Sequence, residues 1–144
     1  MSETGPGAAH SSAELAESAP SRADTIDPGV EPRPMTDERP WGLFEQFTHN
    51  ETTTVKIISV SPGHRLSLQR HALRDEAWVV LDGPMDITVG DRSWVACGGD
   101  RVWVPAGAVH RMGNPGPARA RVLEIAYGLF DEDDIERLED DYTR

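Results

Sequence analysis

The stretch that decides the fold runs Gly63-His64-Arg65-Leu66-Ser67-Leu68-Gln69-Arg70-His71-Ala72-Leu73-Arg74-Asp75-Glu76-Ala77-Trp78-Val79-Val80-Leu81-Asp82-Gly83. Polar and apolar side chains alternate from Arg65 to Gln69, the period of a strand. Gln69 and His71 therefore point to one face, joined by Arg65 and Ser67 if the strand is unbroken. A tight connection over residues 72–75 turns the chain back and sets Glu76 beside His71. Glu76, Trp78 and Val80 then share one face of the next strand. Downstream, the apolar run Val102-Trp103-Val104 ends in the turn signal Pro105-Ala106-Gly107, and His110 follows. An amide oxygen, a carboxylate and two imidazoles form a mixed nitrogen and oxygen set that suits a borderline divalent cation. Gln69, His71, Glu76 and His110 are read as one metal site.

Outward from this stretch the chain is a series of short strands divided by turns. Val55–Val60 is β-branched and stops at Ser61-Pro62-Gly63. Met85–Val89 and Ser93–Cys97 flank a hairpin turn at Gly90-Asp91. Gly98-Gly99-Asp100 turns into Arg101–Val104, and Ala120–Ala126 follows a Pro/Gly-rich loop at 113–117. With no βαβ pattern, the expectation is an all-β sandwich or barrel. Near the C-terminus, Ile135, Leu138 and Tyr142 fall at helical spacing behind a run of acids, which predicts a short surface helix. Residues 1–38 hold almost nothing large and apolar and are expected to be a disordered acidic tail, with the folded domain over 39–144.

The formal net charge of −11 belongs to the ends. Residues 1–38 hold eight acids and two arginines, and residues 124–144 nine acids and two arginines, whereas 39–123 hold eight acids and ten bases. A mildly basic centre suits an anionic small ligand and not a nucleic-acid groove. The single cysteine, Cys97, excludes an internal disulfide. No segment is apolar enough to span a membrane, and the N-terminus lacks the basic start and apolar run of a signal peptide, so a cytoplasmic location is expected.

Gly63, Gln69, His71, Glu76 and Gly83 stand in the spacing of the first cupin motif, with Gln69 in place of its first histidine. Gly99, Pro105, Gly107, His110 and Asn114 match the second motif in full. Cupins are small double-sheet jelly rolls. More closely, Arg39-Pro40-Trp41-Gly42, Leu66-Ser67-Leu68-Gln69, Arg74, Glu76, Trp78, Val104-Pro105-Ala106-Gly107, His110-Arg111, Asn114-Pro115-Gly116 and Glu132-Asp133-Asp134-Ile135 resemble the type II phosphomannose isomerase cupin. That domain usually forms the C-terminal part of a bifunctional mannose-1-phosphate guanylyltransferase/mannose-6-phosphate isomerase. The resemblance covers residues 39–144. It implies a metal-dependent aldose–ketose isomerase acting on a sugar phosphate, with Gln69, His71, Glu76 and His110 as ligands. Zinc is the first candidate, ahead of manganese, cobalt, iron or nickel. Leu73 and Ala77 stand where the family usually has further histidines, Ala126 where it tends to have glutamine, and residues 1–38 carry no Gly-rich nucleotide loop.

Such an isomerase needs a base for the C1 and C2 protons and a cation for the phosphate. Lys56, on the face of Ile58 and Val60, and Glu124, on the last strand, are the candidate bases. Arg65 and Arg111 are the candidate phosphate ligands, Trp78 is a core residue or a pocket wall, and Arg74 would brace Glu76. A homodimer is expected through Leu66 and Leu68 on the outer side of their strand. The alternatives are a non-catalytic metal-binding cupin that binds or senses a sugar or sugar nucleotide, and a cupin oxygenase or lyase with a redox metal.

Overall fold

The computed structural model describes residues 36–142. Along this stretch run β1 (Thr36–Arg39), β2 (Gly42–Glu45), β3 (Thr53–Val60), β4 (Leu68–Arg70), β5 (Arg74–Val80), β6 (Met85–Val89), β7 (Arg92–Ala96), β8 (Arg101–Val104), β9 (His110–Gly113) and β10 (Ala120–Gly128). A 3-10 turn at Glu132–Asp134 and β11 (Glu136–Glu139) complete them. β1 and β2 form a separate hairpin. The other strands build two antiparallel sheets, in the orders β3-β10-β5-β8 and β11-β4-β9-β6-β7. This is the all-β double-sheet jelly roll of the cupins.

The alternation of each strand explains the packing. On β10 the even positions Ala120, Val122, Glu124 and Ala126 face inward, and on β5 so do Glu76, Trp78 and Val80. Met85, Ile87 and Val89 on β6 and Met112 on β9 meet them from the other sheet and are essentially inaccessible to solvent. Burying a side chain of this size stabilises the fold by about 1.5–3 kcal/mol each. Part of the outer face of the four-stranded sheet is covered as well. Ala77, Trp103 and Ile125 pack with Phe47, Leu123 and Tyr127, and the Tyr127 hydroxyl donates to the Phe47 carbonyl at 2.6 Å. That bond pins the segment after β2 over the outer face of the sheet.

Three expectations are corrected. The C-terminal helix is not formed. The acids support one 3-10 turn, capped by the Asp131 side chain, and Ile135 is already extended. The chain then pairs as β11 with β4, placing Glu136 opposite Arg70 and Arg137 opposite Gln69. An open strand edge offers backbone hydrogen bonds to a segment whose apolar residues would bury little as a helix; Leu138 remains 46% exposed. Residues 36–38, assigned to the tail, belong to β1, while 1–35 lie outside the described residues. Leu66 does not face outward. The strand is interrupted before Leu68: Leu66 packs on the core, and Ser67 beside it is also buried. Two consecutive inward residues break the alternation, which throws Arg65 to the outside.

Candidate metal centre

The site lies between the two sheets, at the end where β4 turns into β5. β4 carries Gln69 and leads directly into His71; three residues later β5 begins and brings Glu76 back. The His71 Nε2 atom lies 2.9 Å from Glu76 Oε1. β9 supplies His110, which sits directly opposite Gln69 in the β4–β9 register. The two imidazole rings are 4.5 Å apart, edge to face. One ligating atom each from His71, Glu76 and His110 falls within 4.8 Å of the others, and all three residues are only 1% exposed. Atoms about 2.1 Å from a shared tetrahedral cation would stand about 3.4 Å apart, so the set fits with small adjustments.

The hydrogen bonding settles which nitrogens are free. Nδ1 of His110 faces the Ala108 carbonyl at 2.9 Å, and Nδ1 of His71 faces the Arg74 carbonyl at 3.3 Å. A carbonyl accepts only, so each Nδ1 donates to it and each Nε2 is directed inward, where it can serve as a ligand. Both Nε2 atoms are buried with no hydrogen-bond partner among the described residues. His71 Nε2 and Glu76 Oε1, 2.9 Å apart, are close enough to share one cation. The residues present fit a divalent metal. The Gln69 amide oxygen accepts from Ser67 Oγ at 2.8 Å and keeps a second lone pair.

Glu76 is the most heavily tied carboxylate. Arg74 Nε donates to its Oε1 at 3.1 Å and Trp78 Nε1 to its Oε2 at 2.9 Å. Burial works to raise its pKa, but the imidazoles, His71 foremost, and the Trp78 donor outweigh burial and bring it down to about 2. Burial, opposed by the Ala108 carbonyl and the Glu76 charge, lowers the pKa of His110 and keeps it neutral. Trp78 also meets His110 edge to face at 5.6 Å. It is at once a core residue, a wall of the site and a donor to Glu76; the last role was not expected. Arg74 braces Glu76 as read from the sequence.

Glu124 lies on β10 opposite Trp78 on one side and Lys56 on the other. It is 7% exposed. Burial first, and then the neighbouring Glu76 charge, push its pKa up to about 8 against the pull of Lys56. Lys56 faces inward but is not buried: its Nζ pairs with Glu132 at 3.4 Å and sits 4.0 Å over the Phe130 ring. Its side chain is 41% exposed, so the burial that would have made it a base is not there. Arg65 and Arg111 are brought together, but away from the His–Glu group. Arg111 alternates outward from His110, and the two line a groove of about 440 Å³ with Asp86, Thr88 and Ser93 on the outside of the five-stranded sheet. Asp141 holds Arg65 at 2.6 Å and Glu139 holds Arg111 at 3.1 Å. A second hollow of about 280 Å³ adjoins His71 and is lined by Arg70, Ala72, Gly107, Asp134 and Glu136.

With this geometry in hand, similarity to known proteins is decisive. Residues 33–140 match the family described as "Mannose-6-phosphate isomerase C-terminal". The chain belongs to this family. It is 40% identical over 107 residues to the alginate biosynthesis protein AlgA of Pseudomonas aeruginosa, covering 74% of this chain and 22% of that protein. It is 37% identical over 105 residues to mannose-1-phosphate guanylyltransferase 2 of Escherichia coli O157:H7, covering 72% and 22%. The chain thus spans about a fifth of the length of these relatives. Among solved structures, the capsular polysaccharide assembling protein CapF of Staphylococcus aureus superposes with a TM-score of 0.57 at 19% identity, over 74% of this chain and 34% of that one. A Klebsiella pneumoniae protein with a double-stranded beta-helix domain gives 0.54 at 21% identity, over 62% and 78%. Both show the cupin fold. Among the described residues no helix is long and apolar enough to cross a membrane.

The departures from the family pattern can now be placed. Leu73 is 51% exposed, and Ala77 packs outward against Trp103 and Ile125. Neither position faces the His–Glu group, so the missing histidines leave it intact. Ala126 is different: it is buried, faces inward and pairs opposite Glu76.

Proposed function

We propose that the chain is a metal-dependent sugar-phosphate isomerase of the mannose 6-phosphate to fructose 6-phosphate type, serving precursor supply for polysaccharides such as those named in its relatives. The observation that carries this reading is the pairing of a buried His–Glu–His group with a second buried carboxyl, Glu124, which faces inward from β10 beside Glu76 and can serve as the base. His71, Glu76, His110 and the Gln69 oxygen would hold the cation, zinc first. When bound, it supplies Lewis-acid polarisation of the sugar carbonyl. Ionised Glu124 removes the proton from C2 of the aldose; the C–H electron pair forms the C1–C2 double bond of the enediol. Protonated Glu124 then returns the proton to C1, while the O2 proton passes to O1. Trp78 and Arg74 hold Glu76 in place, and the closed sheets exclude water.

A non-catalytic, ligand-binding cupin is the second reading, favoured by Ala126 beside Glu76, where the family tends to have an amide. The test is turnover after stripping and reloading with zinc, manganese, cobalt, iron or nickel. Fructose 6-phosphate formation that is lost in Glu124→Gln, with metal still bound, supports the isomerase. Bound metal without turnover on any reloading selects the binding protein. We also propose a homodimer, with a different surface from that expected. Leu66 is taken up by the core, whereas Val55 and Ile57 on the free edge strand β3 are 56% and 58% exposed and would be covered by a second copy.

A further inference from the structure

The segment after β10 runs beside the β4–β5 connection and lines the hollow next to His71, and its contacts follow a pattern. β10 ends at Gly128, whose φ is +103° and where a Cβ would meet the Leu73 carbonyl oxygen at 2.7 Å, which leaves no room for a side chain. The Phe130 ring then lies between Lys56 Nζ at 4.0 Å and the Arg74 guanidinium at 4.1 Å. The Asp131 carbonyl accepts from Arg74 at 3.4 Å. Both Asp134 oxygens accept backbone N–H groups of the β4–β5 connection, Ala72 at 3.2 Å and Leu73 at 2.9 Å. Beyond it, Glu136 pairs with Arg70 at 2.7 Å, Glu139 with Arg111 at 3.1 Å and Asp141 with Arg65 at 2.6 Å. Lys56, Arg65, Arg70 and Arg111 each have their acidic partner from this one segment. Residues 131–141 carry eight acids and one arginine.

Little apolar burial holds the segment down. All four residues of β11 are exposed, as are both partners of the Arg70–Glu136 pair. Exposed ion pairs are individually weak and screened by salt. The ligating atoms beneath are buried, and the hollow beside His71 is lined on its far side by Asp134 and Glu136. A sugar phosphate entering through this hollow would pass the segment, and Arg70 lines the same hollow. An arginine fork that now binds a carboxylate suits a phosphomonoester in the same geometry.

We propose that the segment from Phe130 to Asp141 is a displaceable acidic strap that imitates the ligand. Its Glu136 carboxylate occupies Arg70, and the phosphate of the incoming sugar takes Arg70 over, releasing the strap from the entrance. Arg70 is then the phosphate-positioning residue. This rests on the sugar-phosphate reading for the class of ligand, but its test is independent of turnover.

The test is amide hydrogen exchange on the full metal-free chain, with inorganic phosphate as the probe and sodium chloride at matched ionic strength as the control. Phosphate is expected to speed exchange of peptides covering 68–74 and 129–142 about tenfold, leaving the core strands β6 and β10 unchanged. Chloride is expected to have a much smaller effect. Arg70→Gln should abolish the phosphate response. Asp134→Asn should raise strap exchange without phosphate. An equal response to chloride, no response to phosphate, or an undiminished response in Arg70→Gln would overturn the proposal. A strap that opens in a chain without turnover leaves this inference standing and removes the isomerase; turnover with an unresponsive strap does the reverse.

Discussion

Replacing Glu124 by glutamine should abolish a pH dependence that the structure imposes on the metal-free protein. The carboxyl has an ordinary value of 4.5 and is pushed up to about 8 by burial and by Glu76. A raised folded-state pKa means that the native state keeps a proton the unfolded chain has lost. The contribution is fully present below 4.5 and is lost as pH rises through 8. Two neighbours act in the opposite direction at lower pH. Glu76, brought down to about 2, adds stability as pH rises towards 4.5, and His110, with a lowered pKa, adds stability as pH rises towards 6.5. The interval from pH 6.5 to 8 therefore isolates Glu124. At about 1.4 kcal/mol per pH unit, tapering near the folded pKa, the loss is about 2 kcal/mol. With a urea m-value of about 1.5 kcal/mol/M, the midpoint should fall by about 1 M between these pH values. Urea titrations followed by tryptophan fluorescence would measure this. In Glu124→Gln the fall should vanish. A wild-type midpoint that is flat or rising over this interval, or a variant that falls as steeply, would refute the assignment of a buried, protonated Glu124 beside Glu76.

Trp78→Phe keeps the ring against His110 but removes the donor to Glu76 Oε2; metal affinity, measured by competition with a chromophoric chelator, should fall about tenfold or more. Ala77→His restores the family's residue at a position that faces the outer cluster. It should destabilise the fold by about 1–3 kcal/mol in denaturant titration with no gain in metal affinity. Gly128→Ala places a methyl against the Leu73 carbonyl at a positive φ, and thermal unfolding should show a loss of about 1–3 kcal/mol. Light scattering should find a dimer that Ile57→Glu converts to a monomer; a wild-type monomer would end that part of the proposal.

Much of the site was legible because strand alternation is a local property. Gln69 and His71 at i and i+2, with a short turn before Glu76, predict a shared face without knowledge of any partner strand. Glu124 was also readable as a candidate base, although nothing local shows that its neighbours are Glu76 and Trp78. The arginines were not legible. Arg65 was assigned to the ligand face on the condition of an unbroken strand, and the consecutive burial of Leu66 and Ser67 broke that condition. Lys56 was placed on the correct face, but exposure depends on depth along a strand, and it sits at the rim under Phe130.

The C-terminal segment shows the division most clearly. Its residue pattern fits a helix, and a helix is satisfied by its own backbone. A strand needs a free edge elsewhere, which exists only once β4 is in place. The spacing of glycines, histidines and turn residues alone carried the all-β class, the shared face of Gln69 and His71 with Glu76 beyond a short turn, and the family resemblance, because strand alternation and turn signals are local properties of the chain. Only the tertiary structure decided the raised pKa of Glu124, the lowered pKa of His110, the outward placement of Ala77 and the ion pairs of the C-terminal acids, because burial and charge pairing depend on residues far apart in sequence.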